Sequence, residues 1–227
     1  MSHPKHWHFE LPKAGRPDPF PIAERWYPGV REHWEQSTSS RIYDSLTGVR
    51  GIVIHATAGS SSQGAMSVMK AHKASWHWLV PDEDEAQHGK FVWACAPERR
   101  AAWHVRNSQS HSALWGGRNK INHWTLGIEL VNHQQQPVDP YSQWQVDATA
   151  EIVRYCWAKY PNLQYVFSHA MVDPDRRSDP GEQFPWDDFE YKVKSGQAIA
   201  QELLVAGVPP MAQLEANSKA SSCCMVA

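Results

Sequence analysis

The sequence predicts an α/β protein built on a central mixed β-sheet flanked by helices. Three observations predict it. Ile52-Val53-Ile54 is a run of consecutive β-branched residues, the composition of a buried strand. Ser142–Tyr160 places Trp144, Ala148, Ile152 and Cys156 at steps of four, with Val153 and Trp157 beside them, the apolar stripe of a core-packed helix. Strand-like and helical stretches are mixed along the chain, and such elements bury one another as a sheet with helices on its faces. A chain of 227 residues is long enough to bury a real core as one domain with extensions.

Taken in order, residues 1–48 are rich in proline, tryptophan and charge. Pro12, Pro17, Pro19, Pro21 and Pro28 forbid a long helix there. This stretch reads as an extended N-terminal arm packed on the main domain, with a short helix near Val30–Gln36. Arg50–His55 is a strand. Ser60-Ser61-Ser62 offers an N-cap, and Ala65, Met66, Met69 and His72 follow at helical spacing. Trp76–Val80, Lys90–Ala96 and Ala101–His104 read as strands, and 105–123 as a long polar loop of the kind that often carries function. Leu126–Val131 is a strand, Ser142–Tyr160 the clearest helix, and Tyr165–Ser168 a strand leading into His169. Pro185 and Asp187 open a last helix that runs to about Ala206 and is ended by Gly207 and Pro209-Pro210. The domain expected is therefore 49–207, followed by a flexible tail, 208–227.

Composition removes several functions. Basic and acidic residues nearly balance, 22 against 24, so there is no electrostatic case for nucleic acid. No run approaches the ~18 apolar residues of a membrane span. The N-terminus lacks an apolar signal-peptide core, which points to a cytoplasmic protein, or to one delivered to a cell wall by phage lysis or by signal-less secretion. Cys95 and Cys156 lie in apolar stretches as buried free thiols, and no CxxC pair exists, as expected in a reducing compartment. The final Cys224-Met225-Val226-Ala227 matches the short, permissive prenylation pattern with no polybasic run beside it. Twelve tryptophans offer flat apolar rings that suit either core packing or stacking on sugar faces.

The chemistry concentrates in the segment Ser168–Gly181. It holds a histidine, a carboxylate ten residues later and a cation, Arg177, just before that carboxylate. Zinc takes nitrogen, sulfur or oxygen ligands in a tetrahedron, and a catalytic zinc keeps one position open for water. His169 and Asp179 can supply two ligands. His55, which ends an apolar strand before the small-residue loop Ala56-Thr57-Ala58-Gly59, is the best third candidate. Glu129 lies between Ile128 and Leu130. It either faces water on a half-exposed strand or points inward, where it must be paired or functional.

Five pieces occur together in one order: His55-Ala56-Thr57-Ala58, Ser75-Trp76-His77-Trp78-Leu79-Val80, Ala102-Trp103-His104, Gly127-Ile128-Glu129-Leu130-Val131-Asn132, and Ser168-His169 followed by Arg177-Ser178-Asp179-Pro180-Gly181. In order and rough spacing this resembles the zinc N-acetylmuramoyl-L-alanine amidases of the AmpD-like family, relatives of the animal peptidoglycan recognition proteins. The resemblance covers about residues 49–190. It implies His55, His169 and Asp179 as ligands of a Zn²⁺ ion in a surface cleft at the strand ends. It implies Glu129 as the acid/base and Arg177 as the cation that steadies the oxyanion. It places His77 in the substrate cleft. Trp76, Trp78, Trp103 and Trp124 are candidates for stacking on glycan rings, and Asn132 is a further substrate-binding candidate. The implied reaction is hydrolysis of the amide between N-acetylmuramic acid and L-alanine in peptidoglycan or muropeptides, by zinc-activated water. Two departures stand out. Arg177 occupies the place of the family's usual lysine, which keeps an oxyanion role and weakens a proton-donor one. Val105-Arg106-Asn107 replaces the small Ala-Gly usual after Trp-His.

Two other readings compete. One is a non-catalytic peptidoglycan-binding module of the same fold, which would be expected to lack a ligand. The other is an interaction domain with a structural zinc, which would normally be Cys-rich. The biological setting divides among muropeptide recycling, phage lysis and a secreted antibacterial toxin, the last with an immunity protein as partner.

Overall fold

The computed structural model describes residues 7–134 and 139–196. The final stretch of the expected last helix, the tail 208–227 and the Cys224–Ala227 motif lie outside the described residues. Among these residues nine strands and four α-helices follow in the order β1 (His8–Glu10), β2 (Glu24–Trp26), β3 (Thr38–Ser40), β4 (Gly51–Ala56), α1 (Ser62–Lys70), β5 (Trp78–Val80), β6 (Val92–Ala94), β7 (Arg100–Ala102), β8 (Thr125–Leu130), α2 (Gln143–Lys159), β9 (Tyr165–Ser168), α3 (His169–Val172) and α4 (Trp186–Ser195).

Seven strands form one mixed sheet in the order β1-β9-β4-β8-β5-β6-β2, and β3 and β7 form a separate ribbon. The four central strands, β9, β4, β8 and β5, run parallel. Their C-terminal ends therefore open on one side of the sheet, where α/β proteins place their ligands. Antiparallel β1 closes one edge; β6 pairs antiparallel with β5, and β2 closes the other edge parallel to β6.

Alternation along the strands decides what each face does. Ile52 and Ile54 of β4 and Leu126, Ile128 and Leu130 of β8 pack beneath Val146, Ile152, Val153, Cys156 and Trp157 of α2, with Phe189 and Val193 of α4 in the same cluster. Val53 faces the other way, against Leu114, Ile121, Trp124 and Phe167. Met66 and Met69 of α1 cover Leu79 and Trp93 farther along. His55 and Glu129 belong to the odd-numbered set, so they project on the face opposite α2.

Local signals account for the helix ends. Ser61 caps α1, its hydroxyl accepting from the Gly64 N–H, and Ser142 and Gln145 form a reciprocal capping box at α2. Two expectations are corrected. The short helix near Val30–Gln36 is a series of turns. Trp34 N–H donates to Val30 O, but one such bond leaves most of the nucleation cost uncompensated, and Ser37 is instead tied to Met69 O. α4 closes at Ser195, where Gly196 adopts φ 66° and its N–H returns to Lys192 O, so the expected helix is interrupted there, and its remainder lies outside the described residues. The arm does more than pack on the domain: it supplies both edge strands of the sheet and one strand of the ribbon. Cys95 and Cys156 are buried free thiols, as expected. Among the described residues, no helix is long and apolar enough to cross a membrane.

Candidate active site

The site begins with strand register. His55 is the penultimate residue of β4 and Glu129 that of β8, and they are direct partners across the parallel pair. β9 lies on the other side of β4 and ends at Ser168. Ser168 then turns the chain into the single turn of α3, its hydroxyl accepting from the Met171 N–H, so that His169 starts that turn above the strand end. Asp179 returns to the same point because the Ala170 N–H donates to Asp179 O. Residues 55, 129, 169 and 179, distant in sequence, thus line one cleft with Thr57, Trp76, His104, Gln134, Arg176 and Arg177.

His55 Nδ1 and His169 Nδ1 are 3.0 Å apart. Asp179 Oδ2 lies 3.1 Å from His169 Nδ1 and 3.3 Å from His55 Nδ1. All three residues are buried. A tetrahedral zinc bonded at about 2.0–2.1 Å separates its ligand atoms by about 3.3–3.4 Å, so the triangle is close to one face of such a tetrahedron. The open cleft lies beyond it. Two nitrogens and one carboxylate oxygen, with no cysteine, make the donor set of a catalytic rather than a structural zinc.

Burial sets the protonation states. It pushes the His55 pKa down to about 4, assisted by the neighbouring His169, so His55 is the neutral imidazole that a metal requires. Asp179 is also disfavoured as an anion by burial, but the contacts led by its hydrogen bond with His169 outweigh this and hold its carboxyl well below the usual range. Glu129 moves the opposite way. Burial raises its pKa well above the ordinary value, Asp179 adds to the rise, and Arg177 opposes it. Glu129 is 9% exposed and lines the cleft, so the inward reading of this residue is the correct one.

The remaining candidates separate. Arg177 is exposed at the cleft rim. The buried Asp173 takes Arg106 and Arg176 instead, and among the described residues no carboxylate lies within ion-pair distance of Arg177. Trp76 lines the cleft, and Trp103 lines an adjoining groove with Lys73, Arg106 and Arg176. His77 does not line the cleft. It is 1% exposed and holds strands together, its Nδ1 accepting from the Gly127 N–H and its Nε2 facing Arg100 O. Trp78 is a core residue whose indole N–H donates to Glu24, and Trp124 is buried against Phe167. Asn132 is buried as a loop brace, its amide donating to Asp139 O and its Oδ1 accepting from the Gln134 N–H. The alternation that puts Glu129 and Gly127 on the site face sends Trp78 to the other, and His77 lies two residues before Leu79, the partner of Glu129, short of the cleft.

Sequence reasoning missed His104, Gln134 and Arg176 as cleft residues. His104 stood in a recognised motif with no role attached. Gln134 and Arg176 carried no signal, because loop conformation alone brings them there.

Two imidazoles, a carboxylate and a raised-pKa glutamate at the carboxyl ends of parallel strands define a candidate metal-dependent hydrolase site. A family model described as N-acetylmuramoyl-L-alanine amidase matches residues 45–182, and the chain belongs to that family. It is similar to the N-acetylmuramoyl-L-alanine amidase AmiD of Escherichia coli K12, with 28% identity over 164 residues, 69% of this chain and 57% of AmiD. The chain thus spans less than two thirds of that relative's length. A solved complex of E. coli AmiD with the substrate anhydro-N-acetylmuramic acid-L-Ala-D-γ-Glu-L-Lys superposes with a TM-score of 0.54 at 28% identity, covering 65% of this chain and 58% of that one. AmpDh3 from Pseudomonas aeruginosa shares the fold, with a TM-score of 0.55 at 23% identity and coverage of 74% and 72%.

Proposed function

We propose that the chain hydrolyses the amide between N-acetylmuramic acid and L-alanine in peptidoglycan or muropeptides, with zinc held by His55, His169 and Asp179. The observation that carries this is the triangle of donor atoms at 3.0, 3.1 and 3.3 Å, beside an in-register glutamate in an open cleft. Family membership supplies the bond, and a related AmiD accepts a substrate containing it.

Bound zinc would supply Lewis acidity, polarising a carbonyl and acidifying water. The chain's own residues do the rest. Glu129 takes the proton of the attacking water and returns it to the leaving amine; its raised pKa suits the return step. Arg177, unclaimed by a carboxylate among the described residues, donates to the oxyanion. Trp76 and Trp103 offer aromatic surface to a glycan ring. The test is zinc content and muropeptide cleavage in the purified protein, before and after chelation. About one zinc per chain, with activity lost on chelation and restored by Zn²⁺, is expected. Full activity in verified metal-free protein contradicts the proposal. Muropeptide binding without turnover in the zinc-loaded protein would identify a binding module instead.

A further inference from the structure

His104 has no role in the reaction just described, yet its ring is built into the floor of the site. It lies over the backbone of Gly127, where an added Cβ would meet its Cγ at 2.8 Å, so only glycine leaves it room. Its backbone is fixed by Asn122, whose Oδ1 accepts from the His104 and Val105 N–H groups and whose Nδ2 donates to Val105 O. Its Nδ1 is 3.0 Å from His55 Nε2, and its Nε2 is 3.3 Å from Thr125 Oγ1.

One proton arrangement satisfies this chain of contacts. Ile121 O can only accept, so the Thr125 hydroxyl donates to it at 2.7 Å. Thr125 Oγ1 is then an acceptor, which places a proton on His104 Nε2. His104 is buried, and among the described residues no carboxylate lies within ion-pair distance of its ring to offset a charge, so the ring is neutral. A neutral imidazole carries one N–H, so His104 Nδ1 is a bare acceptor. His55 must therefore donate from Nε2, and its own Nδ1 is left as a lone pair facing His169 and Asp179. The 3.3 Å approach of His55 Nδ1 to Asp179 Oδ2 is then a meeting of two electron-rich atoms, which a cation between them reconciles. His169 has no such support: its Nε2 is buried without a hydrogen-bond partner among the described residues.

We propose that His104 is a positioning residue that, through Thr125 and Ile121 O, locks His55 in the Nε2–H tautomer and so presents its Nδ1 to the metal. This rests on the zinc reading above and adds a specific carrier for it. Groups that orient a ligating histidine typically contribute 10–100-fold to metal affinity.

The experiment is competitive Zn²⁺ titration of the full chain against a chromophoric chelator, with wild type, His104→Phe and His104→Asn. Failure of the wild type to bind zinc would sink the zinc reading itself. With wild-type binding in place, His104→Phe should weaken affinity by about 10–100-fold, whereas His104→Asn, whose Oδ1 can replace the Nδ1 acceptor, should recover most of it. Unchanged affinity in His104→Phe overturns the proposal, as does equal weakening by both variants. Should His104→Phe not fold, ¹⁵N NMR of the histidine-labelled wild type decides. A protonated Nε2 on His55 with an unprotonated Nδ1 supports the relay, and the reverse tautomer overturns it.

Discussion

Glu129 and Asp179 line the same cleft and are pushed in opposite directions, Glu129 towards the neutral acid and Asp179 towards the anion. Carboxylates separated in this way divide into acid/base and ligand. His55→Ala, His169→Ala and Asp179→Ala should each lower zinc occupancy and activity together, read by metal analysis beside a cleavage assay. Glu129→Gln should keep its zinc and lose about 10²–10⁴-fold in turnover, since only proton transfer is removed. Near-normal kcat in zinc-loaded Glu129→Gln would return Glu129 to the status of a strand residue. Arg177 tests the departure from lysine. Arg177→Lys should remain active, and Arg177→Ala should lose about 10²–10³-fold in kcat with a smaller effect on KM, because an oxyanion donor acts mainly in the transition state. An Arg177→Ala protein with unchanged kcat would leave the guanidinium without a catalytic part.

At the scale of elements, the site depends on β8 twice. Its penultimate residue is Glu129, and its third residue, Gly127, makes room for His104. Gly127→Val should cost about 1–3 kcal/mol by overpacking, seen as a lowered urea midpoint, and should weaken zinc binding as His104 is displaced. A variant as stable as wild type would show that the ring can move aside. The arm is the other dependent element. A chain that begins at Val49 loses β1, β2 and β3 and exposes the edges of β9, β6 and β7. It should self-associate or fail to fold cooperatively, as judged by size-exclusion chromatography and thermal melting, because unpaired strand edges invite pairing with other chains. A monomeric, cooperatively melting product would make the arm dispensable.

At the scale of the molecule, the buried histidines link stability to pH. His77 is enclosed, and burial, with Arg41 beside it, lowers its pKa to about 3. Above the ordinary value of about 6.5 it is neutral in both folded and unfolded chains and contributes no pH dependence. As pH falls through that value, the unfolded chain takes up a proton that the folded one refuses. Stability therefore declines from about pH 6.5 down towards the folded pKa. At pH 5 the loss from His77 is ~2 kcal/mol, and His55 acts in the same direction. Urea denaturation of zinc-free wild type and His77→Gln at pH 7.5 and 5.0 measures it by difference, because Glu129 and Glu151, whose pKa values burial raises, act in the opposite direction over this range. The same pH dependence in both proteins would mean that the His77 ring is not held neutral.

The sequence by itself determined the α/β class, the major strands, α1 with its serine cap, α2, and the residue types of the site. These are local properties: β-branched runs, helical periodicity, serine caps, and histidines and carboxylates at strand ends, all readable without knowing what lies opposite. The tertiary structure alone decided which candidates face the cleft. A one-residue step in a strand reverses the face, so Glu129 enters the site while Trp78 enters the core, and His77, in the same motif, becomes a brace. It also decided that a proline-rich arm closes both edges of the sheet, since strands of three residues carry little signal of their own and exist through their partners. The role of His104 was hidden for the same reason. A tautomer is set by which acceptor lies at each ring nitrogen, and Thr125, Ile121 and His55 become its neighbours only when the sheet is assembled.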